Sequence, residues 1–91
     1  MMYRIKSSSR FRKDFERMKR RGNNLSLLHN VVKKLSTGKT LPRKNHDHPL
    51  EGNYFGCREC HITPDWLLIY EIDEKESTLY LTRTGSHSDL F

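Results

Sequence analysis

The feature that most constrains this chain is a change of hydrophobic period near its middle. From residue 11 to residue 35 the apolar side chains recur at helical spacing, and from about residue 53 they recur at every second position. Phe11, Phe15 and Met18 form the first helical stripe, and Leu25, Leu28, Val31, Val32 and Leu35 form the second. Ser7 to Ser9 and Asn23 or Asn24 offer N-caps, while Gly22 and Gly38 supply the stops. Two amphipathic helices joined by so short a turn predict an αα-hairpin whose apolar side must cover a sheet. The later stretch predicts strands at roughly 53–62, 66–73 and 77–84, joined through "TPD" and "DEKE" into an antiparallel meander. Residues 2–7 alternate, Tyr3 and Ile5 against Arg4 and Lys6, and predict one further strand. The expected fold is α+β, in the order β-α-α-β-β-β, with a small antiparallel sheet under an N-terminal helical hairpin. A single domain over residues 1–91 is expected.

The core of such a fold must be thin, because 34% of residues are hydrophobic and 31% are charged. Seventeen Lys and Arg against eleven Asp and Glu leave a net charge of +6, which favours an anionic partner, nucleic acid first. The opening "MMYRIKS" has no continuous apolar stretch, so neither a secretory signal nor a membrane span is expected, and the cytoplasm is the expected location. Two cysteines are too few for a disulfide-built scaffold.

The chemistry concentrates at element ends. Leu79, Leu81 and Arg83 alternate in one row, so Arg83 is expected to continue that row to a point where the apolar cover has ended. Gly85 permits a turn that swings His87 back beside Arg83, and Phe91 either anchors the tail or offers its ring to a base. His48 precedes a stiffening proline in "HDHPL". His61 and Asp65 bracket a strand end in "HITPDW", and Trp66 opens the next strand. In a meander His61, Asp65 and Arg83 should converge. RNA carries its own nucleophile, the 2′-hydroxyl, so two proton transfers and stabilisation of the phosphate suffice to cleave it. Imidazoles suit the transfers and a guanidinium suits the phosphate oxygens. No metal or other cofactor is expected in that reaction. A zinc site on Cys57 and Cys60 is disfavoured, since residues three apart on a strand face opposite ways and no second C-x-x-C exists.

The segments "DHPLEGNYFGCRECHITPDWLLIYEID" and "LTRTGSHSDLF" together resemble the YafQ-like branch of the RelE/ParE toxin superfamily of bacterial type II toxin–antitoxin systems. The joint pattern D-H-P-L, R-x-x-H-x-x-P-D-W and R-T-G-S-H carries the resemblance, which covers nearly the whole chain. It implies the RelE-like fold just described and a ribosome-dependent endoribonuclease that cuts mRNA in the A site. It also implies a cognate antitoxin as partner. Position by position it implies His48, His61, Asp65, Arg83 and His87 as catalytic, with His87 as the proton donor to the leaving oxygen and Arg83 on the phosphate. Trp66 and Phe91 are implied as residues that shape the pocket or stack, and Arg58 is expected to contact the substrate as well. Where many relatives have an aromatic residue, this chain has Cys57. A non-catalytic relative that poisons a protein such as DNA gyrase is the competing reading on the same fold.

Overall fold

The computed structural model describes residues 2–91. Strand β1 (Arg4–Ser7) leads into helices α1 (Ser9–Arg20) and α2 (Leu25–Ser36). A long loop then carries the two-residue strand β2 (His48–Pro49). Strands β3 (Arg58–Thr63), β4 (Trp66–Asp73) and β5 (Thr78–Gly85) follow, and α3 (His87–Leu90) ends the chain. The caps are local chemistry. Ser8 Oγ accepts the Phe11 N–H at 2.9 Å and the Asn24 side chain accepts the Ser26 N–H at 3.1 Å, each satisfying a donor that the helix leaves free.

The five strands form one sheet in the order β1-β5-β4-β3-β2. The meander is antiparallel as expected, but β1 runs parallel to β5, so the sheet is mixed rather than purely antiparallel. The helical hairpin carries the chain from β1 across to the far edge of the sheet at β2 and β3, and the meander then works back until β5 lies beside β1. Phe11, Met18, Leu28, Val31 and Leu35 of the hairpin bury one sheet face together with Cys60, Leu68, Tyr70, Leu79 and Leu81. Leu67 and Ile69 point the other way and are covered by Leu90 of the tail, with Leu50, Tyr54 and Cys57 packed alongside. Strand β4 is thus covered on both faces, which is why "WLLIY" reads as an unbroken apolar run.

Two departures from the expected strands matter for the site. The strand expected from residue 53 begins at Arg58, because Gly52–Tyr54 make a 3-10 turn and Gly56 adopts φ 93°. In β5 the register shifts: Ile69 pairs with Arg83 but Tyr70 pairs with Leu81, so Thr82 is an inserted bulge residue. The bulge breaks the expected row. Leu79 and Leu81 face the helices, and Arg83 emerges on the opposite face, opposite Ile69.

Candidate active site

The sheet face turned away from the helices carries the ionisable residues, and strand pairing places them. His48 pairs with Glu59, Glu59 with Ile69, and Ile69 with Arg83, so these four form one row across the sheet. One step along the strands the next row joins His61, Leu67 and Gly85. Glu59 is 5% exposed, with its Oε1 3.5 Å from His48 Nε2 and 3.6 Å from His61 Nε2. Burying a carboxylate is unfavourable unless charges or donors compensate, and two imidazoles stand ready to do so. The loop before β2 is locked onto them: Asn45 donates to the His61 carbonyl at 2.7 Å, and His46, at φ 46°, lays its ring 5.3 Å from that of His61.

The tail completes this group. Ser86 caps α3 and Asp89 returns the bond to the Ser86 N–H, a reciprocal capping box. Arg21 grips Asp89 through two contacts of 2.6 and 2.9 Å, and Arg17 adds a third at 3.4 Å. The bonds from Arg21 foremost, and those from Ser86, hold the Asp89 carboxyl far below the usual carboxylate range. A side chain at position 85 would sit 2.9 Å from Asp89, so glycine is required for the tail to fold back. His87 then donates its backbone N–H to Asp65 Oδ1 at 3.2 Å, and its ring Nδ1 lies 3.0 Å from the same oxygen. The hydrogen bond from the His87 ring lowers the Asp65 pKa. The rings of His87 and His61 lie 5.7 Å apart. Ligating atoms of Glu59, His61 and His87 all fall within 4.8 Å of one another, close enough for those three to share a metal ion.

Arg83 belongs to a second, adjoining group. Its Nε and Nη2 donate to buried Asp14 of α1 at 2.6 and 3.1 Å, and its Nη1 lies 3.4 Å from the Tyr54 hydroxyl. The bonds to Asp14 raise its pKa further. Tyr54 meets Phe91 edge to face at 5.7 Å, and Phe91 is 63% exposed. Two clefts of about 730 Å³ therefore lie on this side of the protein, one walled by His46, His48 and His61, the other by Arg10, Tyr54, Arg83 and Phe91.

Of the residues singled out in the sequence, His48, His61 and His87 come together around Glu59, and Asp65 joins them through His87. Arg83 and Phe91 line the neighbouring cleft rather than touching that group. Two fall elsewhere. Trp66 is 1% exposed within the helix-side core, its Nε1 donating to Thr84 Oγ1 at 2.9 Å, so it has no free face for a base. Arg58 pairs with Tyr70 in register and binds Asp47 at 3.2 Å, on the helix side of the sheet. The cysteines face opposite ways. Cys60 fills the helix-side core, where burial pushes its thiol up to about 12, and Cys57 packs against the other cluster. Glu59 was legible but missed: it stands two residues before His61 in "CRECH", the period that puts strand neighbours on one face. Asp14 carries no signal in the sequence, since an acid on a basic helix reads as solvated.

The profile of a protein family described as "Bacterial toxin of type II toxin-antitoxin system, YafQ" matches residues 3–91. The mRNA interferase toxin YafQ of Escherichia coli K12 is 35% identical over 88 residues, which cover 96% of this chain and 94% of that protein. The crystal structure of a metal-bound toxin from Helicobacter pylori is 46% identical and superposes with a TM-score of 0.91 over 100% of both chains. The E. coli DinJ–YafQ toxin–antitoxin complex contains a chain 34% identical, with a TM-score of 0.90 over 100% of this chain and 99% of that one.

Proposed function

This chain belongs to the YafQ family of bacterial type II toxins, and we propose on that premise that it is an mRNA endoribonuclease acting at the ribosomal A site by metal-independent acid–base catalysis. The observation that carries the reading is the meeting of His87, His61 and Glu59, three proton-transfer groups drawn from the tail and from β3, with ligating atoms within 4.8 Å. A toxin that merely binds a protein target has no use for such a group.

The reaction needs three services. The Glu59–His61 pair takes the proton from the 2′-hydroxyl, whose oxygen attacks the adjacent phosphorus. The bond from phosphorus to the 5′-oxygen breaks, and His87 protonates that oxygen as it leaves. The products are a 2′,3′-cyclic phosphate and a 5′-hydroxyl. Asp65 holds His87 from the Nδ1 side, which dedicates the opposite nitrogen to the proton transfer. His48, on the other flank of Glu59, keeps the scissile region against the sheet. Arg83 supplies positive charge to the phosphate as negative charge develops on it. Phe91, exposed at the rim, stacks a neighbouring base, a contact of about 1–3 kcal/mol. The bound strand runs from the histidine cleft to the arginine cleft.

The partners follow from the family. E. coli YafQ forms a complex with DinJ, and a cognate antitoxin is expected to meet this chain's basic surface with acidic groups, to cover the clefts, or both. The site of action is the ribosome, and so the cytoplasm. The test is to map 5′ ends of cellular mRNA after induction of the wild type and of His87→Gln. New in-frame ends within coding regions, present for the wild type alone, would support the reading. Growth arrest by the wild type with message intact would overturn it and favour a protein target.

A further inference from the structure

Helix α1 carries arginines or lysines at six of its twelve positions, yet its buried polar residue is an acid. Asp14 is 2% exposed and accepts four hydrogen bonds. Its Oδ2 takes Arg83 Nε at 2.6 Å and the Thr84 N–H at 3.2 Å. Its Oδ1 takes Arg83 Nη2 at 3.1 Å and Arg17 Nη2 at 2.5 Å. We propose that Asp14 is a positioning residue for cleavage, holding Arg83 by one edge of its guanidinium so that the other edge is presented to the phosphate. The inference rests on the role of Arg83 given above.

Three features argue for positioning rather than for stability alone. The first is geometric. A guanidinium is a planar fork, and Asp14 occupies its Nε/Nη2 edge in bidentate fashion. That fixes the plane and leaves Nη1 directed into the cleft, where its one hydrogen-bond partner among the described residues is the Tyr54 hydroxyl at 3.4 Å. The second is charge. Two guanidiniums share one carboxylate, so the cluster stays cationic after pairing, and Arg83 is not neutralised toward an anionic ligand. The third is topological. Strand β1 ends its pairing with β5 at Leu81, Ser8 Oγ then donates to the Thr82 carbonyl at 2.8 Å, and the Thr84 N–H lies beyond both. Asp14 takes that Thr84 N–H, three residues before His87. One carboxylate on α1 therefore sets both the phosphate-facing guanidinium and the strand that delivers His87.

A buried ion pair can often be replaced as a whole by apolar groups without loss of stability, so stability alone does not require one at this place. Removing the carboxylate's charge should free the guanidinium to rotate and withdraw from the reacting phosphate. Misplacement on that scale lowers the chemical step by about tenfold to a hundredfold while leaving ground-state binding nearly unchanged.

The experiment compares wild type, Asp14→Asn, Arg83→Ala and the double variant in cleavage of ribosome-bound mRNA. Folding of each is checked by its amide NMR spectrum, and kcat and KM are determined separately. The expected result for Asp14→Asn is kcat lowered at least about tenfold with KM within about twofold. The Arg83 Nε–H signal, slowly exchanging in the wild type, should be lost, and no further loss should occur in the Arg83→Ala background. Unchanged kcat, a change confined to KM, or a full additional loss in the double variant would overturn the inference. Should Asp14→Asn not fold, Asp14→Glu keeps the charge and displaces the fork by one methylene. The same fall in kcat is then expected, and wild-type kcat would overturn the proposal. Absence of cleavage by the wild type would instead defeat the nuclease reading itself.

Discussion

His87 and Asp65 meet twice: the backbone N–H and the ring Nδ1 of the histidine both converge on a single carboxylate oxygen, at 3.2 and 3.0 Å. The two residues come from different strand ends, and the tight turn at Gly85 brings them together. Asp65 and His87 are both exposed, so the pair adds little to stability. Its effect is on orientation. His87→Gln should reduce mRNA cleavage by about 10²–10⁴-fold, the usual contribution of a general acid, with folding unchanged. Asp65→Asn should cost less, because the amide oxygen can still accept from the imidazole. Single-turnover cleavage of ribosome-bound message measures both, and equal losses would place Asp65 in the proton transfer itself.

Glu59 offers a sharper test because its substitution is nearly isosteric. Glu59→Gln keeps the volume and the hydrogen-bonding capacity between His48 and His61 but removes the proton acceptor. Cleavage should fall by about 10²-fold or more, while the thermal transition shifts by only a few degrees. Retained activity in a folded Glu59→Gln protein would move the base to His61 or His48.

The tether of the tail should respond to acid. Folding favours the charged form of Asp89, whose pKa is depressed chiefly by Arg21. Its stabilisation is therefore complete above the ordinary carboxylate value of about 4 and is lost as pH falls through the lowered folded value. Arg21 is 44% exposed, so solvent screens the pair. Asp89→Asn is expected to lose about 1 kcal/mol at pH 7. Urea unfolding of both proteins at pH 7 and at strongly acidic pH should show that gap closing in acid, and a constant gap would assign the effect to packing.

The Glu59, His61 and His87 cluster also predicts how metals act. A chelator should leave cleavage intact, since the proposed chemistry uses side chains alone. Added Cu(II) or Zn(II) should inhibit by occupying the nitrogens and oxygen that move protons, and His87→Gln should weaken metal binding measured by calorimetry. Loss of cleavage on chelation, with ribosomes intact, would put a metal in the reaction.

Much of the architecture was written in local pattern. Apolar spacing, serine and asparagine caps and the change of period near residue 53 determine two helices followed by a meander, because each depends on neighbours a few residues apart. Local chemistry likewise marks His48, His61, Asp65 and His87 as groups at element ends. What only the tertiary structure decided lies across long separations. The bulge at Thr82 turned Arg83 to the face opposite its leucines, and a carboxylate 69 residues away on α1 captured it. Core packing claimed Trp66, and the mixed sheet arose because the meander starts at the far edge after the helical hairpin and brings β5 back beside β1 in the same direction. Register shifts and buried charge pairs are settled by which surfaces meet in space, and a one-residue insertion exchanges the two faces of a strand without altering its composition.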